Sequence, residues 1–401
     1  MNLLFIKRVS CTLLTLLLLS FQQGFAADLV VIDGGPTGTY GSISAAITAA
    51  NNGDRIIVTN KASMAPWVED LTINKSLTFV SATDNVRFLL QGDITIQAAN
   101  GRAVTIIGLE SIGGTVVGTN NTNATRTVVN ILGSSFNFNG VAINFDFPNY
   151  DLTVANCDLG TTGDIYFEYG KILGNQAANV FKTPSNITAP EKILIIGNQC
   201  EYINISASGE EFEIKNNLVE EIETNSLTPG NHAITNNTIN MDGRIRGIEI
   251  GGLQAGSTLI ISNNVITQYI SVNNDRPISL SLVNNGGSLI TEYNYIRNGS
   301  GILGVSGFTL SATDVFNSAV NIDVNTQRNT SSSPAVNGAN PSIQYYDLDL
   351  TRGDAGAFGG SFTLDNYFPL TTGSSRVYHV ILDRGIFQGY NLDVKALGFD
   401  R

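Results

Sequence analysis

The residues best placed to do chemistry lie in "MDGRIRGIEI", where strand alternation would put Arg244 and Arg246 on one side, opposite Ile245 and, across Gly247, Ile248. Glu220, Glu221 and Glu223 come roughly one repeat unit earlier, and Tyr269, Asp275 and Arg276 roughly one later. Two outward cations among carboxylates suit an anionic polymer, with one group meeting its charge and another moving a proton. The same charges would also pair with each other as solvated cross-strand ions, which needs no ligand. A second cluster, Asp347, Asp349, Arg352 and Asp354, offers either oxygen ligands for Ca²⁺ or the polar groups of a closing turn. His232 and His379 have no Cys, Asp or second His at metal-ligand spacing, so zinc is not expected. No nucleophile elbow, P-loop or dinucleotide fingerprint occurs.

What positions these groups is a repeat. Aligning the first Asn of recurrent pairs gives one column of Asn156, Asn198, Asn216, Asn236 and Asn263, with Tyr293 at the sixth place. The steps are 42, 18, 20, 27 and 30 residues, each closing on apolar–x–Asn–x–x–apolar. Irregular periods around a fixed motif mark a solenoid whose loops vary while its strands stack. Runs such as "LTFV", "VTII", "LILII" and "LIIS" are too short for a helix per unit and are bounded by Gly, Asn, Asp or Ser. The expected class is all-β, a single parallel β-helix, with coils about 4.8 Å apart so that equivalent residues form columns. An Asn at a sharp turn tolerates unusual φ and can bond the Asn of the next coil as an amide ladder. The competing reading is a polar stripe that binds ligand. Tyr293 should end or bulge the ladder. If the 42-residue step is one swollen coil, with a lobe at 160–190, then Cys157 and Cys200 are neighbours and a bridge between them is open.

Composition sets the compartment and excludes partners. Lys7 and Arg8, the run "CTLLTLLLLSF" and the small-residue end "GFAA" read as a signal peptide over 1–26, so export to the periplasm, cell surface or medium is expected. Losing two positive charges and no acid there takes the formal charge from −12 to −14. Nucleic acid is therefore not an expected partner. Only 14% of residues are charged, against about 25% for an average domain, which leaves a surface rich in amides and hydroxyls. No later apolar run is long enough to span a membrane. A monomer is expected.

Two stretches carry a family resemblance. "SISAAITAANNGDRIIVTNKASMAPWVEDLTINKSLTFVSA" resembles the opening of pectate-lyase-like right-handed parallel β-helix proteins, and "SSPAVNGANPSIQYYDLDLTRGDAGAFGG" is similar to the closing stretch of secreted bacterial β-helix proteins. The resemblance implies a right-handed solenoid over 54–365, preceded at 27–53 by a lead-in and a capping helix that starts at Ser42 and buries Ile43, Ala46, Ile47 and Ala50. Residues 366–401 would follow as a strand-rich tail with "RVYHVIL" and "YNLDVKALGF" forming a hairpin. Two functions stay open. One is a polysaccharide- or surface-glycan-binding or scaffolding protein without catalysis. The other is a Ca²⁺-dependent uronate lyase, in which the resemblance makes Arg244 or Arg246 the base, Glu220, Glu221, Glu223, Tyr269 and Arg276 the binding groups, and Asp347, Asp349 and Asp354 metal ligands.

Overall fold

The computed structural model describes residues 26–121, 125–183, 192–206, 210–241, 243–268, 276–280, 286–299, 305–370, 376–382 and 394–399. The expected signal peptide, Tyr269 and Asp275 lie outside them. The chain winds into a right-handed parallel β-helix with three faces. The first sheet stacks 12 strands from Asp28–Val31 to Ser288–Glu292, and the second stacks 10 from Leu71–Ile73 to Arg276–Leu280. The third comes in two blocks, one running from Trp67–Val68 to Ser135–Asn137 and the other from Leu218–Val219 to Val315–Asn317. Between the blocks it thins to single bridges through Asp158, Gln176 and Gln199. The strands are short because every side of a coil must turn after a few residues. Alternation sends one residue in two inward, and Ile106, Ile131, Val154, Ile172, Ile195, Ile214, Ile234 and Ile261 form one interior column on the first sheet, each at most 1% exposed. Each such side chain contributes roughly 1.5–3 kcal/mol of burial against the entropy of ordering it.

The strand stack extends beyond the expected solenoid at its start. It begins in the lead-in, where Asp28–Val31 pairs with Arg55–Val58, and its last strand is Val315–Asn317. The helix Ile43–Ala49 has Ser42 as N-cap, buries Ile43, Ala46 and Ile47, and packs on the strands Asp28–Val31, Arg55–Val58 and Leu71–Ile73. Two charged residues of later coils hold its ends. Glu69 accepts from the backbone N–H groups of Ile43 and Ser44, both at 2.9 Å. Lys75 Nζ donates to the carbonyls of Ile47, Thr48 and Ala50 at 2.9, 2.8 and 2.6 Å. These are the groups a helix leaves unpaired at its two ends.

The paired asparagines serve two columns, which corrects the single column expected. Asn156, Asn216, Asn236 and Asn263 take the left-handed conformation at φ 54 to 58°, as does Tyr293 at 55°. In four other coils glycine fills that position, at Gly108, Gly133, Gly174 and Gly197. Asn198 belongs to the next position, because the left-handed residue of its coil is Gly197. The ladder consists of those following residues: Asn175, Asn198, Asn217, Asn237, Asn264 and Asn294, each fully buried. Asn198 shows the pattern. Its backbone N–H and one Nδ2 hydrogen donate to Asn217 Oδ1, both at 2.9 Å, and the other Nδ2 hydrogen reaches back to the carbonyl of Ile172 at 3.0 Å. Tyr293 does not end the ladder, since it occupies only the turn position, and Asn294 continues to Asp314 Oδ1 at 2.9 Å.

The 42-residue step is two coils and not one swollen one. Gly170–Leu173 lies between Tyr150–Ala155 and Ile193–Ile196 in the first sheet. Cys157 sits in the ladder column, its Sγ 3.4 Å from the carbonyl of Ile131, where the asparagines place an amide donor. Cys200 lies two coils away, and both thiols are free. Burial pushes the Cys157 thiol up to about 12.

The C-terminal part is a strap that runs back over the left-handed column. Asn263 binds Gly356 N–H and Asn340 N–H, and Asn216 Nδ2 donates to the carbonyls of Ala357 and Gly359 at 3.1 and 2.7 Å. Phe362 then lies under the Lys215 ammonium at 4.4 Å, and Tyr367 crosses Gly197 and Gly174. A Cβ on either glycine would stand 2.2 Å from the tyrosine ring. Arg376 Nη1 donates to Asn156 Oδ1, and Phe399 covers Gly133. The strands Arg376–Leu382 and Val394–Phe399 pair antiparallel as the tail's hairpin. Together Tyr367 and Phe399 shield an outward apolar row on the first sheet: Val80, Ile107, Leu132, Ala155, Leu173 and Ile196.

Candidate functional site

The outer face of the second sheet gathers the polar and aromatic groups. Its strands Gly163–Phe167, Asn179–Lys182, Tyr202–Ile205, Glu221–Leu227, Arg246–Leu253 and Arg276–Leu280 stack in parallel register. Ile165, Val180, Ile203, Ile222, Ile248 and Ile278 point inward as one buried column. The alternate positions therefore face out in two rows. One runs Tyr166, Phe181, Asn204, Glu223, Glu249, and the other Asp164, Asn179, Tyr202, Glu221. The face thus passes from rings to carboxylates along the axis.

The rings form a continuous strip. Tyr166 stacks on Phe181 with centroids 4.5 Å apart, and Phe181 meets Tyr202 edge-on at 5.8 Å. All three are half-buried, so their remaining surface is presented to solvent. The Tyr202 hydroxyl donates to Glu223 and accepts from Asn204 Nδ2 at 2.7 Å. Burial and the Glu223 carboxylate push the tyrosine's pKa up. The Glu221 carboxylate makes no hydrogen bond or ion pair among the described residues. Its pKa is raised mainly by burial, opposed by Arg244 and reinforced by Glu223 and Glu249.

The two arginines do not share one face as expected. The strand begins at Arg246, so alternation does not reach back to Ile245, which is 56% exposed rather than inward. Arg244 sits on the preceding turn, donates to Glu220 at 3.0 Å, lies 3.6 Å from Glu201, and places its guanidinium 6.0 Å from the Tyr202 ring. Arg246 is paired with Glu249 three residues on. Arg276 stands beside Arg246 in register and has no ion pair among the described residues. Of the expected acids, Glu221 and Glu223 lie on this face, while Glu220 turns the corner toward the third.

The closing aspartates hold turns. Asp347 accepts from Gly360 N–H at 2.6 Å and Asp354 N–H at 3.3 Å, Asp354 from Asn337 N–H at 2.6 Å, and Asp349 from Thr351 N–H at 3.0 Å. Among the described residues no group of three His, Cys, Asp or Glu is arranged to hold a metal ion. Asp347, Asp349 and Asp354, expected as Ca²⁺ ligands, each clamp a backbone amide of the closing turns. His232 is a core residue, with Nε2 3.1 Å from the Thr228 carbonyl and its ring 4.7 Å from Phe212.

Sequence reasoning passed over Tyr166, Phe181, Tyr202, Asn204 and Glu249. The signal was present in "DIYF", "NVFK" and "YINI", whose alternation puts those rings outward. It was hidden because residues 160–190 were read as a lobe rather than as coils. The chain matches no family model, no curated protein and no solved structure in comparisons with all three. The parallel β-helix therefore rests on the structure, and the pectate-lyase likeness rests on motifs alone.

Proposed function

We propose that this is an exported protein of the cell surface, medium or periplasm that binds or scaffolds glycans through the outer face of its second sheet, without catalysis. The observation that carries this reading is the half-exposed strip of Tyr166, Phe181 and Tyr202. Rings of this kind cover the apolar C–H faces of sugars, while Asn204, Asn179 and the neighbouring carboxylates offer partners for hydroxyls. The leader expected over residues 1–26 supports export. A lyase needs a guanidinium free to act on substrate, and Arg244 and Arg246 are both engaged by glutamates, which weighs against that reading.

Affinity electrophoresis against a panel of neutral and uronate polysaccharides tests the proposal. The wild type should be retarded by at least one, Phe181→Ala should lose most of that retardation, and no unsaturated product should accumulate with or without EDTA. Equal retardation of the variant, or EDTA-sensitive product, overturns it.

A further inference from the structure

The third face carries a groove where its sheet thins to bridges. This hollow of about 250 Å³ is lined by Gln176, Gln199 and Asn240 among apolar groups such as Leu218 and Val219, with the more exposed Glu201 and Glu220 at its rim. Gln176 and Gln199 are bridge partners in adjacent coils, about one strand spacing apart, and their side-chain amides make no hydrogen bond among the described residues. Glu201 and Glu220 both lie within 4 Å of Arg244, at 3.6 and 3.0 Å, so their charge is met locally. A turn from more than a hundred residues later reaches the same groove. Gln327 N–H donates to the Asp323 carbonyl at 2.7 Å, and Gln327 takes a left-handed φ of 57°. Its Nε2 bonds the Val324 carbonyl at 2.8 Å, while its Oε1 is buried with no partner among the described residues.

An amide both donates and accepts, as a sugar hydroxyl does, and the amides this groove leaves unengaged offer little to an ion. Glu201 at the rim is followed directly by Tyr202 of the aromatic strip, so groove and strip meet at the corner of one coil. We infer that the groove is a second subsite, for a neutral, hydroxyl-rich glycan chain that extends around the corner from the aromatic strip. This rests on the glycan reading above.

The test uses the whole chain with soluble xyloglucan, galactomannan and mixed-linkage β-glucan, with polygalacturonate as the charged probe. Binding is measured for the polymers and for trisaccharides cut from them. Gln176→Ala/Gln199→Ala and, separately, Gln327→Asn should weaken polymer binding about tenfold or more, leave trisaccharide binding within about twofold, and keep the melting temperature of the wild type. Polymer binding that stays intact in both variants while Phe181→Ala abolishes it overturns the groove and spares the glycan reading. Binding of polygalacturonate alone also overturns the groove. A wild type that binds no probe overturns both.

Discussion

Asn237→Leu removes a buried side chain whose every polar atom is in use. Asn237 Oδ1 accepts from Asn217 N–H and Asn217 Nδ2, both at 3.0 Å, and Asn237 Nδ2 donates to the Ile214 carbonyl at 3.0 Å and to Asn264 Oδ1 at 3.0 Å. Leucine has nearly the same shape and keeps only the backbone N–H bond to Asn264, at 2.9 Å. Two donors on Asn217 are then left buried and unpaired, while the Ile214 carbonyl keeps its ladder bond to the next strand. At about 1–2 kcal/mol each, less about 1.5 kcal/mol for the added apolar burial, the net loss is roughly 0.5–2.5 kcal/mol. The side chain of Asn236, one residue earlier, makes only a 3.3 Å contact with Asn263 Nδ2 and a 3.5 Å contact with the Asp354 carbonyl among the described residues. Asn236→Gly keeps the left-handed backbone without strain, so its cost should stay within about 1 kcal/mol. Urea denaturation followed by circular dichroism compares the two midpoints. If Asn236→Gly proves the costlier change, or if Asn237→Leu falls within about 0.5 kcal/mol of wild type, the two-column assignment is wrong.

Gly197→Ala should destabilise by more than about 2 kcal/mol, because its Cβ would stand 2.2 Å from the Tyr367 ring at a φ of 69°. The cost should shrink by about 1–2 kcal/mol in a Tyr367→Ala background, and a double-mutant cycle showing no coupling would contradict the strap's position. His232 is held neutral by burial, with its pKa below the ordinary 6.5, so the unfolded chain binds the proton more readily than the native one. Stability on its account is complete above about pH 6.5 and declines as pH falls from there toward the native pKa. Urea midpoints of wild type and His232→Gln should therefore converge from about pH 7 to about pH 5, and parallel curves would exclude the effect. Arg244→Ala breaks only partly exposed pairs with Glu220 and Glu201, so it should lower stability by no more than about 1 kcal/mol in thermal melts, a larger loss pointing to a role the pairs do not explain.

Much of the architecture was written in local pattern. Short apolar runs punctuated by Gly and Asn can bury themselves only by stacking, and "SISAAITAA" with its serine cap can only be a short amphipathic helix. The "NN" pairs declared a turn that needs a left-handed residue followed by a buried amide. Their phase was misread at one point: "IGNQ" has glycine in the first role and "ITNN" has asparagine there, so aligning on the first Asn shifted Asn198 by one position. Reading residues 160–190 as a lobe left "LGNQ" at 173–176 out of the column, which merged two coils into one, opened a disulfide between Cys157 and Cys200 that the stacking does not allow, and concealed the aromatic strip.

By itself, then, the sequence determined the class of fold, the turn that repeats and which residues of each run face inward, because these follow from periods of two and from the conformational range of Gly and Asn. Which outward residues meet one another depended on coil lengths that vary from turn to turn, so only the assembled stack brought Tyr166, Phe181 and Tyr202 together and parted Arg244 from Arg246. The strap was likewise beyond local reading, although its trace is visible afterwards. The last outward residue before the turn is apolar in the coils of Leu132, Ala155, Leu173 and Ile196, where Tyr367 and Phe399 lie, and becomes Lys215, Thr235 and Ser262 beyond that cover. Glycine replaces asparagine at Gly174 and Gly197 for the same reason: a ring from nearly two hundred residues away needs the volume that a side chain would occupy.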